Sequence, residues 1–221
     1  MNTPKPADLE AALRDLPIFP LPQVVLFPRA LLPLHIFEPR YRTMLADALA
    51  SHRTIAMALV DPTGDLDERG QSKIAPIAGV GTIIEHQQLP DCRSNILLHG
   101  QARVRLEELP FVPPYRRARA TLLEEVQTTV SEGDKASLFA AATAFIAELA
   151  KRDPKVKFQL PRNLPPGAIA DMCAHHLVID ARARQAVLEE LDVAARVRKV
   201  IEELAAQHME LSRERGGGVL N

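Results

Sequence analysis

Three side chains that could bind or catalyse together fall within four consecutive residues. Glu38, Arg40 and Tyr41 surround a proline in the stretch "HIFEPRYRTML". A carboxylate, a guanidinium and a phenol this close can orient a polar ligand through charge and hydrogen bonds. An acid followed by proline also suits a helix start, because the helix dipole favours the acid and proline fits the first turn. Two interpretations stay open, a polar lip beside an apolar cleft and a helix corner without a ligand. Ordinary packing favours the corner.

A second group consists of arginines that alternate along two strand-like runs. If these runs are neighbours in one sheet, four guanidinium groups share a face that could hold phosphate or an acidic peptide. Nearby glutamates would neutralise that face, and mixed charges are typical of a solvated surface. The net charge of −1 shows no basic excess. Nucleic-acid binding is therefore the alternative interpretation, and it would use Arg103, Arg105, Arg117 and Arg119.

The motifs of several enzyme classes are missing from the sequence. It has neither the glycine-rich loop that cradles phosphate nor a G-x-S-x-G nucleophile turn. Cys173 and His176 are one helical turn apart, but a structural zinc needs four ligands, usually in two spaced pairs, and no second pair follows. We therefore predict no metal, no cofactor and no catalytic residue.

The elements that position these residues follow from proline and periodicity. Five prolines between Pro17 and Pro33 exclude a helix there and indicate short strands, and helical spacing begins after Pro39. A strand "TIAMALVD" follows, and from Ile74 to Glu125 the pattern is β, with a turn at "PDCRS" and "GVG" as a bulge or a tightly packed strand.

Helical spacing dominates the second part of the chain. Its last helix is predicted to be long and to bear Leu188, Leu191, Ala194, Val197, Ile201 and Leu204 as one stripe. Strands followed by helices predict an α+β protein. The predicted domains are a polar lead at 1–14, a β-rich domain at 15–126, a helical bundle at 127–210 and a flexible glycine-rich tail at 211–221.

The compartment is predicted from the first residues and the cysteines. The start "MNTPKPADLE" is polar, and no apolar run has the length needed to span a bilayer. Two cysteines far apart in sequence do not suggest a disulfide. The sequence therefore predicts a cytoplasmic protein with reduced thiols and no membrane partner.

Three segments resemble the amino-terminal, substrate-binding domain of Lon proteases. They are "LPIFPLPQVVLFPRALLPLHIFEPRYRTML", then "GVGTIIEHQQLPDCRSNILLHGQARVRL", and then "IADMCAHHLVIDARARQAVLEELDVAARVRKVIEEL". The resemblance covers about residues 15–210. Where the family's L-P-D-G turn has glycine, this chain has Cys92, so the turn is expected to change shape or to expose a thiol at its tip.

The resemblance implies a fold and a role. The expected fold is a PUA-like, partly open β-barrel followed by a helical bundle. The expected role is that of a stand-alone, non-enzymatic module that recognises unfolded polypeptide, as an adaptor or holdase in quality control, with an ATP-dependent protease as a possible partner. Capture is expected in a groove between the two domains or along a sheet edge near Leu16–Pro33, with Glu38, Arg40 and Tyr41 orienting the guest.

Overall fold

The computed structural model describes residues 6–61, 63–67, 70–153, 158–161 and 163–217, which form two compact units, Met1–Glu124 and Glu125–Asn221. In chain order the elements are α1 (Pro6–Ala12), β1 (Leu16–Leu21), β2 (Leu31–Ile36), α2 (Pro39–Ala50), β3 (Thr54–Leu59), β4 (Ile77–Gln88), β5 (Ser94–Glu108), β6 (Arg116–Leu122), α3 (Glu132–Arg152), α4 (Pro166–Leu177), α5 (Ala181–Glu189) and α6 (Val193–Gly217).

The six strands of the first unit form a single curled sheet. Its strand order is β2-β5-β4-β3-β1-β6, and β5 also pairs with β6. The first half of β5 pairs with β2 and its second half with β6, so the sheet bends round on itself as a partly open barrel. The predicted α+β fold, a partly open barrel followed by helices, is confirmed.

The segment between β1 and β2 passes so close to the sheet that its neighbours must be glycine. A Cβ on Gly79 would lie 1.8 Å from the carbonyl oxygen of Leu26, and one on Gly100 would lie 2.0 Å from that of Phe27. Both Leu26 and Phe27 are fully buried. The register of β4 and β5 also shifts between Val80 and Gly81. The predicted bulge or tight packing at "GVG" is confirmed.

We expect Gly79→Ala to lower the free energy of unfolding by at least about 3 kcal/mol, because a backbone oxygen occupies the space that the methyl group needs. The matched control is Gly133→Ala near the start of α3, where the nearest atom to the added Cβ lies at 3.7 Å. That variant should be as stable as the parent or up to about 1 kcal/mol more stable. Urea unfolding of both variants tests the expectation, and equal stability would contradict it.

The turn between β4 and β5 keeps a tight geometry despite its cysteine. The Leu89 N–H donates to the Arg93 carbonyl at 2.8 Å, and the Cys92 N–H donates to the Leu89 carbonyl at 3.1 Å. This is a three-residue hairpin loop whose last position is left-handed. Cys92 has φ 62° and is exposed. The turn therefore retains the shape that glycine favours, and the thiol is at its tip.

We expect Cys92→Gly to raise the free energy of unfolding by about 1 kcal/mol, because a left-handed residue with a Cβ is strained. Cys92→Ala removes the thiol and keeps the Cβ, so it should match the parent, and Cys92→Val should be less stable than both. Thermal unfolding of the three variants tests this order. Equal melting temperatures for the glycine and alanine variants would show that the strain is negligible.

The structure adds detail to the sequence expectations in three segments. The polar lead at 1–14 contains α1, and Leu13 just after it packs into the barrel core, while residues 1–5 lie outside the described part of the chain. In the segment Leu16–Pro33, where a sheet edge was expected, β1 is not at an edge because it pairs with both β3 and β6, whereas β2, which contains Pro33, ends the sheet. Residues 211–217 of the tail continue α6, and 218–221 lie outside the described residues.

The long helix predicted through Leu188 and Leu204 is two helices, α5 and α6. Between them, Asp192 accepts the N–H of Ala195 at 2.8 Å and so caps α6. The Val126 N–H donates to the Leu191 carbonyl at 2.9 Å, and this bond requires extended chain at the break. Capping by Asp192 therefore interrupts a stripe that has helical spacing throughout.

The second unit surrounds a buried arginine. Arg196 is fully buried; its Nη2 lies 2.6 Å from Glu125 and its Nε lies 3.1 Å from Asp171. Gly167 leaves room for it, since a Cβ there would lie 2.7 Å from the guanidinium. Removing either acid would leave charge buried without its partner, which is strongly destabilising. This ion-pair network holds α4 and α6 to the start of the unit.

Candidate functional site

The first predicted site lies where β2 gives way to α2. Glu38 is the N-cap residue, and its carbonyl oxygen accepts the N–H groups of Tyr41 at 3.0 Å and Arg42 at 2.9 Å. Pro39 occupies the first turn, where its missing N–H costs nothing. The Glu38 side chain does not cap the helix. It is therefore available for contacts at the surface.

Glu38, Arg40 and Tyr41 are in mutual contact. The Arg40 Nε and Nη2 atoms both lie 2.9 Å from Oε2 of Glu38, and the guanidinium lies 4.5 Å from the centre of the Tyr41 ring. Both charged side chains are more than a third exposed, so this pair adds little to stability. The structure thus contains the expected polar lip, and the role of these residues in binding stays a prediction.

Tyr41 has an inward ring and an unused hydroxyl. The ring is buried and its centre lies 4.4 Å from that of Phe19. Burial raises the pKa of Tyr41, against the lowering effect of Arg40, so the phenol remains protonated at neutral pH. Within the described residues the hydroxyl makes no hydrogen bond, and Oε1 of Glu38 makes none either. The corner therefore has one donor-acceptor group and one acceptor to offer a ligand.

These three residues line a cavity of about 590 Å³ in the first unit. Its other walls come from the end of β1, the loop before β4 and the segment that enters β6. The lining combines prolines and aromatic rings with a few polar groups, which suits a ligand with both apolar and hydrogen-bonding parts. The lining residues are Pro20, Leu21, Pro22, Glu38, Arg40, Tyr41, Val60, Gly70, Gln71, Ser72, Phe111, Pro114, Tyr115 and Arg116.

Arg116 fixes one wall of this cavity, and sequence reasoning missed it. Its Nε and Nη2 bind both carboxylate oxygens of Glu108 at 2.8 and 2.6 Å, and its Nη1 donates to the Ser72 carbonyl at 2.7 Å. Asp67 lies 3.9 Å from the same guanidinium. The side chain is only 9% exposed. Alternation along β6 places Arg116 on the same face as the buried Ala118 and Ala120, opposite Arg117 and Arg119, and this is the local signal that marks it as inward-facing.

The alternative arginine face is only partly assembled. β5 and β6 do pair, and Arg105, Arg117 and Arg119 are exposed, but Arg103 is only 2% exposed. Arg117 lies 2.7 Å from Asp15, and Arg119 pairs directly with Glu107 across the strands. The charges on this face are therefore mixed, as expected for a solvated surface.

The next candidates from the sequence are the cysteine and histidines of α4. Cys173 is buried, and burial raises the pKa of its thiol to about 12, so it carries no thiolate at neutral pH. Among the described residues, no three His, Cys, Asp or Glu side chains are arranged to hold a metal ion. Cys173 is therefore a packing residue. None of the helices in the described residues is long and apolar enough to cross a bilayer.

Comparison with known proteins identifies the family. Residues 15–206 match the model of the ATP-dependent protease La (LON) substrate-binding domain. Lon protease of Trichlorobacter lovleyi is 31% identical over 201 residues, and that of Desulfosudis oleivorans is 26% identical over 195 residues. These matches cover 89% and 86% of this chain and 24% of each relative.

Solved structures show the same fold. A Lon N-terminal domain protein from Xanthomonas campestris superposes with a TM-score of 0.62 at 18% identity, covering 85% of this chain and 97% of that one. The N-terminal domain of a Mycobacterium avium complex Lon protease gives 0.63 at 17% identity, covering 86% and 98%. The fold is that of Lon amino-terminal domains, and the chain belongs to the Lon substrate-binding domain family.

We expect Arg116→Gln to lower the free energy of unfolding by about 2–4 kcal/mol, because it leaves Glu108 and the Ser72 carbonyl without their partner. Arg117→Gln is the matched control. It removes a neighbouring ion pair whose two side chains are 42% and 53% exposed, so it should cost less than about 1 kcal/mol. Urea unfolding separates the two, and similar losses would show that Arg116 does not hold the wall in place.

Proposed function

We propose that this protein is a non-enzymatic module that binds exposed apolar segments of unfolded polypeptides. The observation that carries the proposal is the cavity beside α2, where unused hydrogen-bonding groups of Glu38 and Tyr41 lie among apolar walls. An extended polypeptide presents apolar side chains and unpaired amide groups together, which is the combination such a site can satisfy. Membership of the substrate-binding family supports the same role.

Exposed apolar side chains near the cavity support the proposal. Phe37, directly before Glu38, is 58% exposed, and Val112, next to the lining residue Phe111, is 67% exposed. Large apolar groups gathered near a partly polar cavity are characteristic of a surface that binds another chain.

In the proposed mechanism a guest residue inserts its apolar side chain against the proline and aromatic walls. The Tyr41 hydroxyl donates to a guest carbonyl, and the free oxygen of Glu38 accepts a guest N–H. Arg40 holds Glu38 in place through their ion pair and covers the Tyr41 ring. Binding and release require no covalent step. The protein then acts in the cytoplasm as an adaptor or holdase, delivering clients to an ATP-dependent protease of the Lon type.

RNA binding receives less support from the geometry. The arginine face has one buried arginine, one bound to Asp15 and one opposite a glutamate. A phosphate-binding surface needs guanidinium groups that are free to exchange counterions for phosphate. The arginine face offers few such groups, so polypeptide binding is the function that we propose.

We expect the double variant Glu38→Ala/Arg40→Ala to bind a fluorescent, permanently unfolded polypeptide about tenfold more weakly than the parent, because it removes the guest hydrogen bond to the charged Glu38 carboxylate, which is worth about 1.5 kcal/mol. Fluorescence anisotropy at low and high salt measures the affinity. Binding by the parent should persist at high salt, whereas RNA-type binding would fall steeply.

The matched control is Glu132→Ala/Lys135→Ala. It removes another exposed ion pair, with a 2.6 Å contact on α3, and it should bind like the parent. An unchanged affinity of the Glu38/Arg40 variant would remove these residues from the site. No binding of the unfolded polypeptide by the parent protein would reject the proposed function itself.

A further inference from the structure

β4 is longer than the strand that covers its outer edge. β3 pairs with Gly79–Thr82, and the next residue, Ile83, donates its N–H to the Arg53 carbonyl at 2.7 Å. Residues 84–88 extend beyond this point and pair only with β5. All five are exposed. The end of β4 is therefore an open strand edge within the described part of the first unit.

The backbone groups at this edge can be assigned from the strand register. The amide of Ile83 faces β3, and the register shifts between Ile83 and Glu85 because Ile84 is an extra residue. Beyond this bulge, the Leu89 N–H donates to the Arg93 carbonyl across the hairpin at 2.8 Å, so alternation directs the backbone groups of Glu85 and Gln87 to β5. Alternation then directs the backbone N–H and C=O groups of His86 and Gln88 to the open edge.

A groove lies beside this edge. Its volume is about 850 Å³, and it runs between α2 and the β4–β5 hairpin. Helix α2 contributes the apolar Leu45, Leu49 and Ala46, and the hairpin contributes the side chains of His86 and Gln88. A strand that paired with β4 would direct every second side chain into this groove. The strand edge that can form hydrogen bonds and the groove that can hold side chains are therefore next to each other.

The other open edge of the sheet is protected differently. β2 ends the sheet and carries Pro33 at its centre, which removes one N–H donor and discourages pairing. Residues 84–88 contain no proline. Among the described strands, the end of β4 is thus the edge best able to accept another strand.

We propose that the end of β4 binds an extended segment of a guest polypeptide by strand addition, through the backbone groups of His86 and Gln88. Guest side chains enter the groove beside α2. This inference rests on the proposed function and adds how the protein binds the backbone of the guest. Recognition then depends on an extended conformation and on alternating small apolar residues more than on a particular sequence.

The test uses the full chain and a short fluorescent peptide in which valine and threonine alternate. His86→Pro removes one outward N–H and places a ring at the edge, without removing a bond to β5. It should weaken peptide binding at least tenfold. Gln87→Ala changes an exposed neighbouring side chain on the other face of β4 and leaves every outward N–H in place, so it should bind within about twofold of the parent. Circular dichroism melting shows whether both variants remain folded.

A second measurement remains decisive if the proline variant does not fold. Two versions of the peptide are N-methylated, one at every valine and one at every threonine. Strand addition uses the amides of one set only, so one version should lose binding at least tenfold while the other keeps it. Hydrogen exchange should show the His86 and Gln88 amides protected when the unmodified peptide is bound.

The outcomes separate this inference from the proposed function. Equal effects of the two methylated peptides, or unprotected His86 and Gln88 amides, would overturn strand addition. Failure of the unmodified peptide to bind while the unfolded polypeptide still binds would also overturn it and leave the proposed function intact. Loss of binding to both probes would reject the proposed function.

Discussion

The contact on which the first unit depends is between two pieces of backbone. The carbonyl oxygens of Leu26 and Phe27 lie where the side chains of Gly79 and Gly100 would otherwise be. The N–H of Gly100 then donates to the Ala30 carbonyl, and the Arg29 N–H donates to the carbonyl of Gly100, both at 2.8 Å. This pairing begins the ladder between β2 and β5. The register of β2, and with it the start of α2 only three residues later, follows from this close approach.

The position of helix α2 determines where its residues lie in both the cavity and the groove. Its start brings Glu38, Arg40 and Tyr41 to the cavity, and Pro39 together with Arg42 and Ala46 lines the groove beside the hairpin. Its buried side, which includes Met44, packs in the barrel core. A guest bound on either side thus contacts the same rigid helix. A shift of α2 would change one wall of each site, while Arg116 and the β4–β5 hairpin hold the opposite walls.

Sequence reasoning succeeded where a physical rule acts locally. Proline at the first turn placed α2, and glycine within a β run indicated a close approach. It failed where tertiary contacts override local pattern. The stripe through Leu188 and Leu204 keeps helical spacing, yet Asp192 caps a new helix because Thr128 and the Val126 backbone bind there. The acid was visible in the sequence, but the partners that select capping over continuation are more than sixty residues away.

The residues of the candidate site also differ in how well the sequence predicts them. Glu38, Arg40 and Tyr41 could be grouped because they are neighbours in sequence. Arg116 and the loop that it holds come from distant segments, and alternation along β6 indicates the inward face of Arg116 but not its partners. Its partners are Glu108 on the adjacent strand and the Ser72 carbonyl, and only the fold reveals them.

The two sheet edges show how binding and solubility can be reconciled. An open strand edge is a hazard, since identical chains can pair through it. β2 limits the hazard with Pro33, whereas the end of β4 carries polar side chains at Glu85, His86, Gln87 and Gln88 and no proline. Polar side chains discourage stacking of identical hairpins through their faces but leave the backbone groups free. The end of β4 therefore keeps the backbone groups that the proposed strand addition needs, while its polar side chains limit apolar contact between two copies.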